Sequence, residues 1–206
     1  MTIKNNTTFI HAHGRPQLYD GANGVQRHGA FVITNPDQTK EVLPSNTNIT
    51  GMVTMVDVTQ SLHKGETANW LQVRIDDPGE PTIVLSVGLG SFFAAKFVGL
   101  LNAADLSRPI SMALLSVLKG EKFDDELSES SNVFPIFRSC HDNARLVPVW
   151  ANGATKLPEA LKVKFNGRMM NNMDPVNKAV GATLTGIYEK LDIIKKAQNA
   201  LLTRSA

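Results

Sequence analysis

A mainly β chain carrying two helices is the fold class the sequence predicts, and three observations predict it. Residues 70–76 alternate strictly, with Leu71, Val73 and Ile75 on one face and Trp70, Gln72, Arg74 and Asp76 on the other, the period-two pattern of a half-buried strand. Extended runs at 49–59 and 83–87 flank it, set off by a loop at 61–67 and by the turn residues Asp77, Pro78, Gly79, Glu80 and Pro81. Helical spacing replaces alternation after Ser91 and again after Asp174.

Composition bounds the function classes. The chain has 206 residues, 42% hydrophobic and 19% charged, which excludes collagen-like, low-complexity and wholly disordered proteins. A formal net charge of +2 leaves no excess for whole-molecule attraction to a polyanion or a membrane, so any charge-driven binding has to be local. Five Asp/Glu against two Lys lie in residues 119–131, and nine Lys/Arg against four Asp/Glu lie in 150–206. The single cysteine, Cys140, excludes an intramolecular disulfide and a four-cysteine zinc site, and points to a reducing cytoplasm. Residues 1–10 lack the basic and apolar regions of a secretory signal. The apolar stretch 82–104 is broken by Ser86, Gly88, Gly90, Ser91 and Lys96, so it reads as a buried strand followed by a helix rather than a membrane span.

Taken in order, residues 1–48 hold Gly14, Pro16, Gly21, Gly24, Gly29, Pro36 and Pro44 among polar residues, the pattern of an irregular arm with one short strand at 30–34 and little core. The three strands at 49–59, 70–76 and 83–87 form a meander. Ser91 then caps a helix on which Phe93, Phe97, Leu100 and Ala104 recur at helical spacing. Pro109 forces Arg108 toward extended geometry and opens a fourth strand at 110–118, after which the acidic stretch 121–129 is a loop. Further extended candidates are 133–138, 145–151, which contains Pro148 and belongs at an edge, and 161–165, with Asn152 and Gly153 as a hairpin turn before the last. In that last strand Leu161, Val163 and Phe165 alternate with Lys162 and Lys164, so one face is apolar and the other basic out to Arg168. Asp174 and Pro175 open a helix to about residue 203, on which Val180, Leu184, Ile187, Leu191, Ile194, Gln198 and Leu201 follow heptad spacing. At 1.5 Å per residue such a helix extends about 44 Å, longer than a small barrel is wide, so Leu184, Ile187, Leu191 and Ile194 are expected to form a homo-oligomer contact.

Three strands, a helix, a fourth strand and at least one more is the order of an OB-fold, a small Greek-key barrel. The domain plan is therefore an irregular arm at 1–48, an OB-like barrel at 49–168 with an acidic loop at 119–131, and a C-terminal helix at 174–203. Particular strings sharpen this: Ile49-Thr50-Gly51, Trp70-Leu71-Gln72-Val73, Leu85-Ser86-Val87-Gly88-Leu89, and the link from Asn102-Ala103-Ala104-Asp105 through Leu106-Ser107-Arg108-Pro109-Ile110. Through them residues 49–118 resemble single-stranded-DNA-binding proteins of bacteriophage type. The resemblance implies a non-enzymatic protein without cofactor that binds single-stranded DNA with no strong sequence preference in phage DNA replication or recombination, in the bacterial host cytoplasm. The chain ends Leu201-Leu202-Thr203-Arg204-Ser205-Ala206, without the acidic, aromatic-tipped tail of many such proteins, so recruitment of replication partners through a tail is not expected.

Binding single strands requires cations along the phosphates and flat π-faces for the bases. Trp70 is assigned to base stacking, with Gln72 and Arg74 beside it on the polar strand face. Lys64 lies in the loop between the first two strands, where OB-folds commonly touch nucleic acid. Lys162, Lys164 and Arg168 are assigned to the phosphates, with Arg138 as an additional contact. Against this, an indole is often covered, here by the arm or the last helix, and lysines are often only solvated. The acidic run would repel DNA unless it fills the groove in the absence of DNA and is displaced on binding, in which case neutralising Asp124, Asp125 and Glu126 tightens binding. Two other classes compete: a virion or assembly module oligomerising through 175–203 without nucleic acid, and an enzyme using His11, His13, His28, Cys140 or His141. The histidines lack a metal-ligand spacing, Cys140 and His141 as strand neighbours point apart, and Gly88, Gly90 and Ser91 lack the P-loop lysine, so neither catalytic nor metal residues are assigned.

Overall fold

The computed structural model describes residues 7–20, 26–35, 37, 39–63, 66–123, 126–148, 157–165 and 168–204. The elements in chain order are β1 (Thr7–Asp20), β2 (Gln26–Thr34), β3 (Lys40–Val42), β4 (Asn48–His63), β5 (Glu66–Asp76), β6 (Thr82–Gly88), α1 (Phe92–Ala103), β7 (Ile110–Val117), β8 (Lys122–Phe123), β9 (Glu126–Leu127), β10 (Asn132–Ser139), β11 (Leu161–Phe165), β12 (Arg168–Asn172) and α2 (Asp174–Arg204). Eight strands share one sheet in the order β10-β7-β4-β5-β6-β1-β2-β3, antiparallel except for the parallel pair β1–β6.

The meander read from the sequence is β4–β5–β6, and β5 carries the alternation as expected: Leu71, Val73 and Ile75 are buried. β4 serves two neighbours in turn. Asn48–Gly51 pair with β7 and Met52–His63 with β5, and the strand changes partner at Gly51, whose φ is +152°. A Cβ there would lie 2.8 Å from Ile75 Cγ2 and 2.9 Å from the Asp76 carbonyl oxygen, so the turnover point accepts only glycine without a shift of backbone.

The expected irregular arm is instead sheet. β1 lies along the free edge of β6 and β2 along β1, and Ile10, Ala12, Ala30, Phe31 and Val32 are buried in the core. Gly14, Pro16 and Gly29, three of the residues that suggested irregularity, lie within strands. Pro16 falls in the break of the β1–β2 ladder between Ala12 and Gln17, the kind of bulge that tolerates proline. Gly29 passes so close to β3's approach that a Cβ would sit 2.0 Å from the Leu43 carbonyl oxygen.

The expected closed Greek-key barrel is also corrected: the sheet does not close. Its two ends curl toward one another, with the His28 ring nitrogen Nε2 3.3 Å from the Ser116 carbonyl oxygen, but among the described residues no ladder joins β1 or β2 to β10 or β7. β10 contains Pro135, opposite Leu114 of β7, and a proline is accommodated in a ladder only with its missing N–H turned away from the neighbour. The outer edge of β10 therefore lacks a donor where a ninth pairing would need one.

Inside the curl lies α1, with the Ser91 hydroxyl accepting from the Ala94 N–H as its N-cap. Eight of its twelve residues are buried, and Phe97 meets Phe137 of β10 edge to face at 4.9 Å between centroids. α2 covers the other side of α1. Val176, Val180, Leu184, Ile187 and Leu191 are buried, Ile194 packs partly against the same core, and the Lys190 ammonium donates to the Asn102 carbonyl at the end of α1. The residues expected to hold a second copy are thus consumed by the chain's own helix, and the homo-oligomer contact through Leu184, Ile187, Leu191 and Ile194 is not supported. The acidic stretch forms the small hairpin β8–β9 rather than an open loop. The 145–151 candidate contributes an isolated bridge from Arg145 to Arg138, with residues 149–151 outside the description, as is the Asn152-Gly153 turn. No helix among the described residues is long and apolar enough to cross a membrane.

Candidate nucleic-acid interface

Trp70 sits on the outward face of β5, opposite Gly88 of β6 and Thr59 of β4. Because Gly88 has no side chain, the six-membered ring of the indole comes within 3.5 Å of where a Cβ would stand. Its Nε1–H donates to the Ser61 hydroxyl at 2.8 Å, and the His11 ring of β1 meets it edge to face at 5.8 Å. The indole is half-buried, with His11 of the N-terminal segment against it, and it lines a 640 Å³ cleft between the β4–β5 hairpin, the loop after β6 and the first turns of α2, where Val58, Leu89, Asn177 and Val180 also lie. An aromatic fixed on three sides and open on the fourth is a preformed stacking surface.

Gln72 lies one pair further along the same face, half-buried between Asp57 and Ser86. Arg74 follows, 48% exposed along its side chain, with Nε 3.1 Å from Asp76 Oδ2. Burial works to raise the Asp76 pKa, but hydrogen bonds from Thr54, Thr82 and Arg74 and the Arg74 charge outweigh it and hold the carboxyl below its usual range. Arg74 is therefore half of an ion pair on the same face as the indole. Lys64 lies outside the described residues.

The lysine-bearing strand is not in this wall. Among the described residues β11 pairs with β12 alone, in a two-stranded sheet separate from the main one. Its expected apolar face is not buried either, since Leu161 is 56% and Val163 38% exposed. Lys162 donates to Asn171 Oδ1 across the hairpin at 2.8 Å, and Lys164 and Arg168 are exposed beside it. Arg138, on β10, donates from Nη1 to the Asn143 carbonyl and belongs to the Arg138–Arg145 turn. Of the eight assigned residues, the fold brings together Trp70, Gln72 and Arg74.

Sequence reading missed the histidines as interface residues. His11 and His13 lie 6.4 Å apart between ring centroids, with Lys40 close enough to affect both. Burial lowers both pKa values below the ordinary 6.5, Lys40 lowers each further, and His11 adds to the effect on His13. Their nearness to Trp70 depends on the parallel pairing of β1 with β6, which no local pattern announces. The other reactive groups show no constellation: Cys140 is exposed, with its thiol pKa raised by burial and by Asp77, and no group of three His, Cys, Asp or Glu among the described residues could hold a metal. What the arrangement offers is an aromatic and polar binding surface. No protein-family model, curated protein or solved structure matches this chain.

Proposed function

We propose that this protein binds single-stranded DNA through the outward face of β5, as an open variant of the OB-fold, in the replication or recombination of a phage genome. The single observation carrying the reading is the placement of Trp70: braced by Ser61 and His11, set across Gly88, and open to a cleft. Support for the OB assignment comes from the run β10-β7-β4-β5-β6, which keeps the neighbour order of a five-stranded OB barrel, with α1 between its third and fourth strands. β1 then occupies the edge of β6 that would otherwise meet β10. Non-specific binding suits a surface of stacking groups without paired donors and acceptors aimed at base edges.

The test is a fluorescence titration of the Trp150→Phe variant, in which Trp70 is the sole indole, with an oligodeoxythymidine at low and high salt beside a duplex control. Quenching that favours the single strand and weakens with salt is expected. Unchanged emission at saturating oligonucleotide in low salt, or a preference for duplex, overturns the reading.

A further inference from the structure

The aromatic line that begins at Trp70 does not stop at His11. His13, next along β1, lines a 460 Å³ groove whose walls include Arg15, Phe92, Lys96 and Phe134. This groove lies where β1 approaches β10 without a ladder, and the N-terminal turn of α1 opens into it, contributing the partial positive charge of a helix start with no acidic residue in that turn. Gly14 makes the approach of β1 to α1 possible, since a Cβ there would lie 2.9 Å from Phe93 Cβ. Lys96 and Phe134 are shared with a further 520 Å³ cleft that Arg145 also lines. The Lys96 ammonium stands 5.2 Å from the centre of the Phe134 ring, and Phe92 is 42% exposed.

Charge complementarity names the occupant. Among the described residues no Asp or Glu lines the Trp70 cleft, the groove or the Arg145 cleft, while Arg15, Lys96 and Arg145 are all exposed along them. Cations interleaved with flat rings along these clefts match a polymer that alternates phosphates with bases.

We propose that a single-stranded nucleic acid runs from Trp70 past His11 and His13 into the gap between β1 and β10, with Arg15, Lys96 and Arg145 on its phosphates and Phe92 and Phe134 against its bases. This rests on the single-strand reading above and adds a path that none of the sequence-assigned cations marks. The basic β11–β12 hairpin is, on this view, outside the path.

Binding of a labelled oligodeoxythymidine to the full chain, followed by anisotropy across a salt series, tests it. The variant Arg15→Ala/Lys96→Ala/Arg145→Ala is compared with Lys162→Ala/Lys164→Ala/Arg168→Ala. Each lost phosphate contact lowers the slope of log K against log salt by about 0.7, so the groove variant should lose about 2 from the slope while the hairpin variant keeps it. Thermal unfolding checks that both are folded; should the groove triple be unfolded, Lys96→Ala alone should lower the slope by about 0.7. A groove variant with the parental slope, or loss of slope only in the hairpin variant, overturns the path while leaving single-strand binding intact. A parent chain that binds no oligonucleotide overturns both.

Discussion

Asp76 decides what Arg74 is able to do. Two threonines and one guanidinium converge on a single carboxylate, which locks the outward face of β5 into a neutral network beside the indole. The pair was legible as two residues on one strand face, but its closure was not, because Thr54 and Thr82 arrive from β4 and from the start of β6. His11 and His13 are shifted in the same direction as Asp76 but for a different reason, burial and the Lys40 charge disfavouring the protonated ring. Their folded pKa values lie below the unfolded 6.5, so just under 6.5 the unfolded chain binds more protons and stability falls as pH drops through that window. A polyanion laid beside the same rings favours their charged forms. Affinity for oligodeoxythymidine should therefore rise as pH falls from neutral to about pH 6, even as the melting temperature declines. The His11→Gln/His13→Gln variant should flatten both trends, measured by anisotropy and by thermal unfolding at each pH.

Among the elements, β4 is the one on which the architecture turns. Its first four residues belong to one ladder and the remainder to another, and Gly51 stands at the change. Gly51→Ala should cost about 1–3 kcal/mol, since φ of +152° is strained for any side chain and the space is filled by Ile75 and Asp76; chemical denaturation measures it. β5, β6, α1 and β7 were readable because their periodicity and caps are local: alternation at 70–76, turn chemistry at 77–81, Ser91 before an apolar helix, Pro109 before a strand. β1 and β2 were not, because their glycines and prolines answer to tertiary neighbours such as Leu43 and Phe93 that the local pattern does not contain. The hairpin β11–β12 shows the converse error. A clean alternation of apolar and basic residues promised a buried face, and among the described residues the strand pairs with β12 alone.

At the scale of the molecule, charge is sorted along the strands. Asp77 and Glu80 line a cleft at the starting end of β1 and β6, beside Thr8 and Ile83, whereas the acid-free clefts lie at the far end beyond Ala12 and Val87. Segment sums missed this, because Arg15 falls in a nearly neutral stretch and Lys96 in an apolar one, while much of the conspicuous C-terminal surplus sits on the β11–β12 hairpin and on exposed positions of α2. The seam of α2 was found correctly and its partner was not: a heptad pattern states that one stripe will be covered, not by what. Leu184→Asp/Leu191→Asp should therefore unfold the chain rather than split an oligomer, each buried carboxylate costing roughly 4 kcal/mol or more. Circular dichroism melting alongside light scattering separates the two outcomes.

The unladdered seam between β1 and β10 has a topological consequence. A fully laddered barrel would have to give up backbone pairing to widen there, whereas β1 and β10 lie side by side with no ladder between them to break. On the proposed path the strand lies along outer clefts and needs no free end to reach them, so a circular oligonucleotide should bind as readily as a linear one of the same length.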